Sequence, residues 1–360
     1  MSHVKLTSIS PDSDVMFFDQ DGKGDKASYT FYRGEHANFH PTDESLESAG
    51  MLDYFLKGLV PTMPMFEASS SIVAFGSCFA SHISAYLKSI GYNVATKERR
   101  PAYLATMGEG IVNTYAIRQQ FEWAWKGVTP QVALWHGYDA KALGYDEDVR
   151  LDTKRMFDAA DAFIITLGLS EVWYDEPTGE VFWRAVPKEH FDPSRHKFRV
   201  ATFQQNLDNI RAVIAMVREF RPQAAIVFTL SPIPLKATFR SIPCVSADLV
   251  SKAALRTALD EAMRDEQARG CLYFPSYEIA MRAFEHPFME DRRHIHKHVL
   301  DFNMAAFERY YCATGLTDGQ LLERLRAAQV LDREVARNGH WSVPRANLLF
   351  HDPPREGPGS

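Results

Sequence analysis

Four short apolar runs, each stopped by a turn residue, constrain this chain more than any other feature. Residues 71–75 (SIVAF) run into Gly76, 162–167 (AFIITL) into Gly168, 224–230 (AAIVFTL) into Ser231 and Pro232, and 271–274 (CLYF) into Pro275. Runs with no polar alternation suit strands covered on both faces, the setting of a parallel sheet. Helical spacing fills the intervals. Phe79, Ile83, Tyr86, Leu87 and Ile90 share one face over 79–90, and Leu207, Ile210, Val213, Ile214 and Val217 do so over 203–220. Over 246–268 the inward face is read as Leu249, Ala253, Leu255, Leu259 and Met263. Gly91 stops the first helix, and 92–96 (YNVAT) is read as a further strand. Strand and helix in alternation predict an α/β fold, a three-layer α/β/α sandwich with a five-stranded parallel sheet and right-handed crossovers.

The remaining segments read as decoration. No internal repeat is found. The stretch 171–186 (EVWYDEPTGEVFWRAV) carries an inserted β-hairpin signal, with a turn at Pro177-Thr178-Gly179 between two aromatic arms. Residues 127–151, rich in Gly, Asp, Trp and Tyr, are expected to form an irregular surface loop. This divides the chain into an N-terminal extension (1–68), a catalytic-sized domain (69–315) and a C-terminal segment (316–360). The last comprises a charged helix over 317–338 and a tail, HDPPREGPGS, expected to be disordered. With 360 residues, 46% of them hydrophobic, the chain can bury a sizeable core. A net charge of -6 argues against a nucleic-acid backbone as the main partner. The opening MSHVKLTSIS lacks the apolar core of a secretory signal, and no stretch approaches the roughly 18 apolar residues of a membrane span. Four cysteines (Cys78, Cys244, Cys271, Cys312) are too scattered for a disulfide framework. The expectation is a cytoplasmic protein with reduced thiols.

In open parallel sheets, ligands bind where loops leave the carboxyl ends of the strands. Cys78 falls in the first such loop, at the start of a helix whose dipole favours a thiolate; the competing reading is a small apolar residue packed at a strand–helix junction. Asp291 stands three residues before His294, a spacing that lets the carboxylate orient the imidazole as a general base. His294, His296 and His298 alternate, which admits either a His-x-His-x-His metal set or solvated histidines; with no supporting ligand pair elsewhere, no metal is expected. Gly168 and Ser170 follow the 162–167 run, where a Gly-x-Ser pair serves as a plain turn or as an oxyanion donor.

These pieces, in this order, resemble the GSCFA domain family, itself similar to a divergent branch of the SGNH/GDSL-type hydrolases. The resemblance rests on GSCFA (76–80), GEGIVNTYAI (108–117), TLGLSEVW (166–173), TLSPIPL (229–235), FPSYEI (274–279) and EDRRH (290–294), and extends over roughly 69–315. It implies a sheet ordered 2-1-3-4-5, with Cys78 of Gly76-Ser77-Cys78 in the place of the nucleophilic serine and Asp291 and His294 as orienter and base. The superfamily's Gly-x-Asn-Asp block falls on Gly168-Leu169-Ser170-Glu171, where Ser170 replaces the oxyanion-donating Asn. Asn113 is the candidate to fill that role, or else it caps the helix that follows. Ser77, Asn113, Gly168, Ser170 and Trp173 make up the expected oxyanion and substrate-binding set.

A Cys-His-Asp site implies acyl transfer through a cysteinyl thioester. Because such a thioester is close in free energy to a coenzyme-A thioester, an O-acyltransferase drawing on an acyl-CoA-type donor is as natural as an esterase. No bound cofactor is expected. Lys97, Arg99 and Arg100 could meet donor phosphates, or form a solvated charge run. Trp173, Tyr174, Phe182 and Trp183 could stack on a sugar or acyl chain, or pack the insert. The resemblance suggests a carbohydrate substrate, a surface-polysaccharide precursor. The alternatives are a Cys-dependent thioesterase or amidase and a non-catalytic ligand-binding protein of the same fold.

Overall fold

The computed structural model describes residues 51–136 and 141–338, together with 15–19, 26–30, 38, 40–42 and 45–46. The tail 339–360 and the opening residues 1–14 lie outside the described residues. The chain divides into two compact units, Met1–Ser48 and Ala49–Ser360. In the first, β1 (Val15–Asp19) pairs antiparallel with β2 (Lys26–Thr30). The second begins with a short helix, α1 (Met51–Leu56).

The apolar runs become the strands β3 (Ile72–Phe75), β6 (Ala162–Leu167), β9 (Ala225–Leu230) and β10 (Cys271–Phe274), which form one parallel sheet in the order β10-β9-β6-β3. Every residue of β3 and β6 is buried, as their unbroken apolar character requires. The two faces are separated by strand alternation. Phe75, Phe163, Ile165, Phe228 and Tyr273 face a core shared with α4 (Thr114–Lys126), α5 (Glu147–Asp158), α6 (Phe203–Phe220) and α7 (Cys244–Ala262). On the other face the Phe274 ring meets Phe307 and Tyr311 of α9 (Lys297–Tyr311), edge-on at 5.2 and 5.9 Å. Also present are α2 (Cys78–Ser89), packed on α9, the short α3 (Tyr103–Met107) and α8 (Ser276–Arg282), and α10 (Asp318–Asn338). Among the described residues no helix is long and apolar enough to cross a membrane.

Among the described residues the sheet has four strands, not five. Where 92–96 is expected to add an edge strand, a single parallel bridge joins Ile72 to Val94, with Ile72 N donating to Asn93 O at 3.0 Å. The ladder stops because a 3₁₀ turn, Ala95–Lys97, begins at the next residue. The Thr96 hydroxyl then donates to Ala74 O at 3.0 Å, satisfying by a side chain a carbonyl that a longer strand would have paired.

Three further readings change. The expected hairpin over 171–186 is only half formed: its turn exists, with Gly179 N on Asp175 O, and its arms touch through the Tyr174–Val181 bridge. The full ladder of β7 (Glu171–Asp175) is made instead with β8 (His196–Val200), antiparallel from Glu171↔Val200 to Asp175↔His196. Arg195 fastens it, bidentate on the wholly buried Asp175 at 2.8 and 3.0 Å. The expected loop 127–151 contains a small ladder, β4 (Leu134–His136) with β5 (Lys141–Leu143), and the start of α5. Asp146 caps α5, accepting from Val149 N, a signal hidden by the polar character of the stretch. Finally, α7 is rotated from the expected face. Leu249 is 59% exposed and Ala253 is exposed, while Ala247, Ser251, Lys252, Leu255, Ala258 and Leu259 face inward.

Candidate active site

Cys78 is the first residue of α2. Between it and β3, Gly76 takes φ 130 and lies so close to β6 that a Cβ would sit 2.1 Å from the Thr166 carbonyl oxygen. A side chain at this position is excluded both by conformation and by space. Ser77 is the N-cap, its Oγ accepting from Phe79 N at 3.1 Å. The thiol is thereby presented from the first turn of a capped helix, at the positive end of its dipole. Cys78 is partly buried and in no disulfide. Burial raises the thiol pKa of Cys244, of Cys271, and of Cys312 to about 12.

Asp291 and His294 form a closed unit in the loop before α9. Arg292, at φ 54, is the single non-glycine residue with positive φ among the described residues. Its conformation lets Asp291 Oδ1 accept from the backbone N–H groups of Arg293 (3.0 Å) and His294 (2.9 Å), while Oδ2 bonds Nδ1 of His294. Burial pushes the Asp291 carboxyl up, but these donors outweigh it and hold the group below the usual carboxylate range. Asp291 is thus an anion that fixes the imidazole, whose side chain remains 61% exposed.

Two residues that the sequence reading passed over connect the loops. His82 lies one turn beyond Cys78 on α2 and is close enough to His294 for the two imidazoles to interact. Burial first, then His294 and Lys97, lower its pKa to about 4, so His82 is neutral at pH 7. Lys252, on the inward face of α7, is 3% exposed. Its Nζ donates to Gly168 O at 2.7 Å and Ile233 O at 2.9 Å, in the loops that leave β6 and β9. Burial lowers its pKa to about 8; Asp248 and Cys78 act to raise it and Arg293 to lower it. A signal for Lys252 existed in the sequence: it shares a helical stripe with Leu255 and Leu259, where a solvated lysine would be out of place.

The expected oxyanion set is less open. Asn113 is the N-cap of α4: Oδ1 accepts from Ala116 N at 2.8 Å, and Nδ2 faces the carbonyls of Phe182 and Trp183 at 3.4 Å. The buried Ser170 donates its hydroxyl to Ser251 O (3.1 Å), and its N–H goes to Ser251 Oγ (2.7 Å). Gly168 N donates to Val112 O at 2.9 Å, and a Cβ at Gly168 would lie 2.9 Å from Val112. Trp173 packs among Phe191, Phe198 and Phe239, while Phe182 and Trp183 are buried in the insert. Asn113→Ala is therefore expected to cost about 1–2 kcal/mol of stability through the lost cap. On the acyl-transfer expectation, its kcat for p-nitrophenyl acetate should stay within about threefold of wild type, whereas loss of an oxyanion donor lowers kcat by about 10² or more.

The basic run after β3 is largely committed elsewhere. Arg100 is bidentate on Asp152 at 3.0 Å for both bonds, and Lys97 Nζ donates to Ser81 Oγ at 2.9 Å. The alternating histidines do not converge on one point: His298 Nε2 pairs with buried Asp332 at 3.0 Å, the ring of His296, the buried N-cap of α9, stacks on that of His298 at 5.3 Å, and His294 faces Asp291. No cluster of three or more His, Cys, Asp or Glu among the described residues is placed to hold a metal ion.

A search of curated proteins finds no match. The GSCFA family model matches residues 71–307, a span that runs from β3 into α9 and takes in Cys78, Lys252, Asp291 and His294. The match covers well over half of the chain, and the chain belongs to the GSCFA family.

Proposed function

We propose that the protein transfers acyl groups through a thioester on Cys78, as an O-acyltransferase or acyl esterase acting on a carbohydrate. The observation that carries this reading is that a helix-initiating thiol and an Asp-oriented imidazole sit in loops at one sheet edge: Cys78 follows β3, and Arg293, next to His294, donates to Pro234 O in the loop that leaves β9 at 3.4 Å. The sheet order supports it as well: a fifth strand reduced to one bridge at Val94 is what an SGNH-like 2-1-3-4-5 sheet becomes when its edge is cut short.

In the proposed reaction the Cys78 sulfur attacks the acyl carbonyl, and the tetrahedral intermediate expels the donor's leaving group, which takes a proton from solvent by way of Nε2 of His294. A hydroxyl of the acceptor, or water, then attacks the thioester. His294, its Nδ1 held by Asp291, takes the attacking proton on Nε2 and passes it to solvent as the sulfur departs as a thiolate. The oxyanion donor in this scheme is the Cys78 N–H at the head of α2, since Phe79 N donates to Ser77 Oγ at 3.1 Å and Ala80 N to Ser77 O at 2.8 Å.

Intact-mass spectrometry after incubation with a panel of acyl-CoAs and p-nitrophenyl esters tests the reading. A stoichiometric acyl adduct mapped to Cys78, discharged by a monosaccharide or by water alone, is the expected result and separates transferase from esterase. Substrate turnover without any adduct on Cys78, or neither turnover nor adduct across the panel, would remove covalent catalysis by this residue.

A further inference from the structure

We propose that Lys252 is the counter-ion of Cys78, a buried ammonium that holds the nucleophile as a thiolate. The inference rests on the reading of Cys78 as the nucleophile and adds a residue that the Cys-His-Asp set does not include.

The placement of the ammonium carries it. β3 and β6 are neighbours in register, Phe75 opposite Ile165, and the Gly76 backbone lies against Thr166. The Cys78 loop therefore leaves the sheet directly beside the loop that carries Gly168. Nζ of Lys252 is fixed in that second loop by the Gly168 carbonyl and on its other side by Ile233. Two of its three N–H donors are spent on backbone carbonyls, neutral acceptors that orient the charge without cancelling it. Burying an ammonium in this way is costly unless an anion is near. The carboxylate of its own helix that acts on it, Asp248, accepts on Oδ1 from Leu235 N at 2.8 Å. From across the site the group that raises the charge on Lys252 is Cys78, and Arg293 opposes it. The helix dipole of α2 adds to the same end.

Ionisation of Cys78 in this arrangement releases the thiol proton to solvent, with Lys252 remaining protonated. The charged groups that act on Lys252 are Asp248 on α7 and Arg293 in the loop before α9; His294 lies next to Arg293 in that loop, and His82, one turn beyond Cys78 on α2, is under the influence of His294 and Lys97. His82 is neutral at pH 7, which leaves Arg293 and His294 as the other candidates; Arg293 turns its Nε to Pro234 O at 3.4 Å, so His294 is the one set against Lys252.

Peptide-resolved mass spectrometry of iodoacetamide alkylation, followed from pH 5 to 10, distinguishes the two. The wild-type midpoint at Cys78 should fall below the ordinary ~8.5 of a free thiol. Lys252→Met should raise it by a unit or more, slowing alkylation about tenfold at pH 6.5, while His294→Ala should move it less. A wild-type midpoint at or above ~8.5 overturns the proposal without recourse to any variant, should Lys252→Met not fold. So does a midpoint that follows His294→Ala and ignores a folded Lys252→Met. Because alkylation needs no acyl chemistry, a failed shift here is distinct from a missing acyl adduct, which would bear on the catalytic reading alone.

Discussion

Cys78→Ala is expected to abolish turnover of p-nitrophenyl acetate, with a loss on the order of 10⁴ to 10⁶ in kcat. The size follows from the division of labour. In the proposed mechanism the sulfur forms the bond that splits one difficult acyl transfer into two easier ones, and alanine leaves nothing to replace it. His294→Ala should fall in the same range. Asp291→Asn should be milder, because the amide can still accept from the Arg293 and His294 backbone but holds Nδ1 in the wrong tautomer. The fold should survive all three changes: Cys78 is only partly buried, and His294 is largely in solvent. Steady-state kinetics beside thermal melts check this. A Cys78→Ala protein that is fully folded and keeps a tenth of wild-type kcat would sink the covalent mechanism. The other thiols provide a contrast, since Ser at Cys244, Cys271 or Cys312 should leave the chemistry intact.

The sheet was legible because burial on both faces leaves an unmistakable imprint, an apolar run with no alternation, and each of the four runs became a strand. Cys78, Asp291 and His294 were legible for a related reason. Loops at the carboxyl edge follow directly from strand ends, and Asp-x-x-His is a local unit whose hydrogen bonds close within four residues. What the sequence concealed depends on partners far along the chain. β7 takes β8 rather than its sequence neighbour because the turn at 178–179 holds only one bridge between the arms, while Arg195 locks the more distant strand onto Asp175. Lys252 was missed because a helix was rotated to bury its leucines. In the folded chain Leu249 is left outside while Lys252 turns inward to the Gly168 and Ile233 carbonyls. Where an amphipathic face conflicts with a single charged residue, the conflict itself marks the site.

Gly76→Ala should be the most destabilising single substitution near the site, costing about 3 kcal/mol or more. The added Cβ would lie 2.1 Å from the Thr166 carbonyl oxygen and 2.9 Å from the Thr166 backbone carbon and nitrogen. None of these atoms can retreat cheaply. Thr166 is wholly buried and paired in register with Thr229 of β9, so moving it disturbs the centre of the sheet. Gly76 cannot move the other way without giving up its own bond, N to Gly108 O at 3.0 Å. Gly91→Ala serves as the control. Gly91 also has a positive φ, 88, but nothing lies within 4 Å of its added Cβ, so only the conformational cost of about 1–2 kcal/mol applies. Urea unfolding of the two variants should therefore separate them clearly, with the midpoint of Gly76→Ala the lower. Equal losses would mean that β3 and β6 do not approach as closely as described, and the juxtaposition of the Cys78 and Gly168 loops would fall with them. Any Gly76→Ala protein that does fold should also alkylate more slowly at Cys78, because the strand separation that relieves the clash carries the thiol away from Lys252.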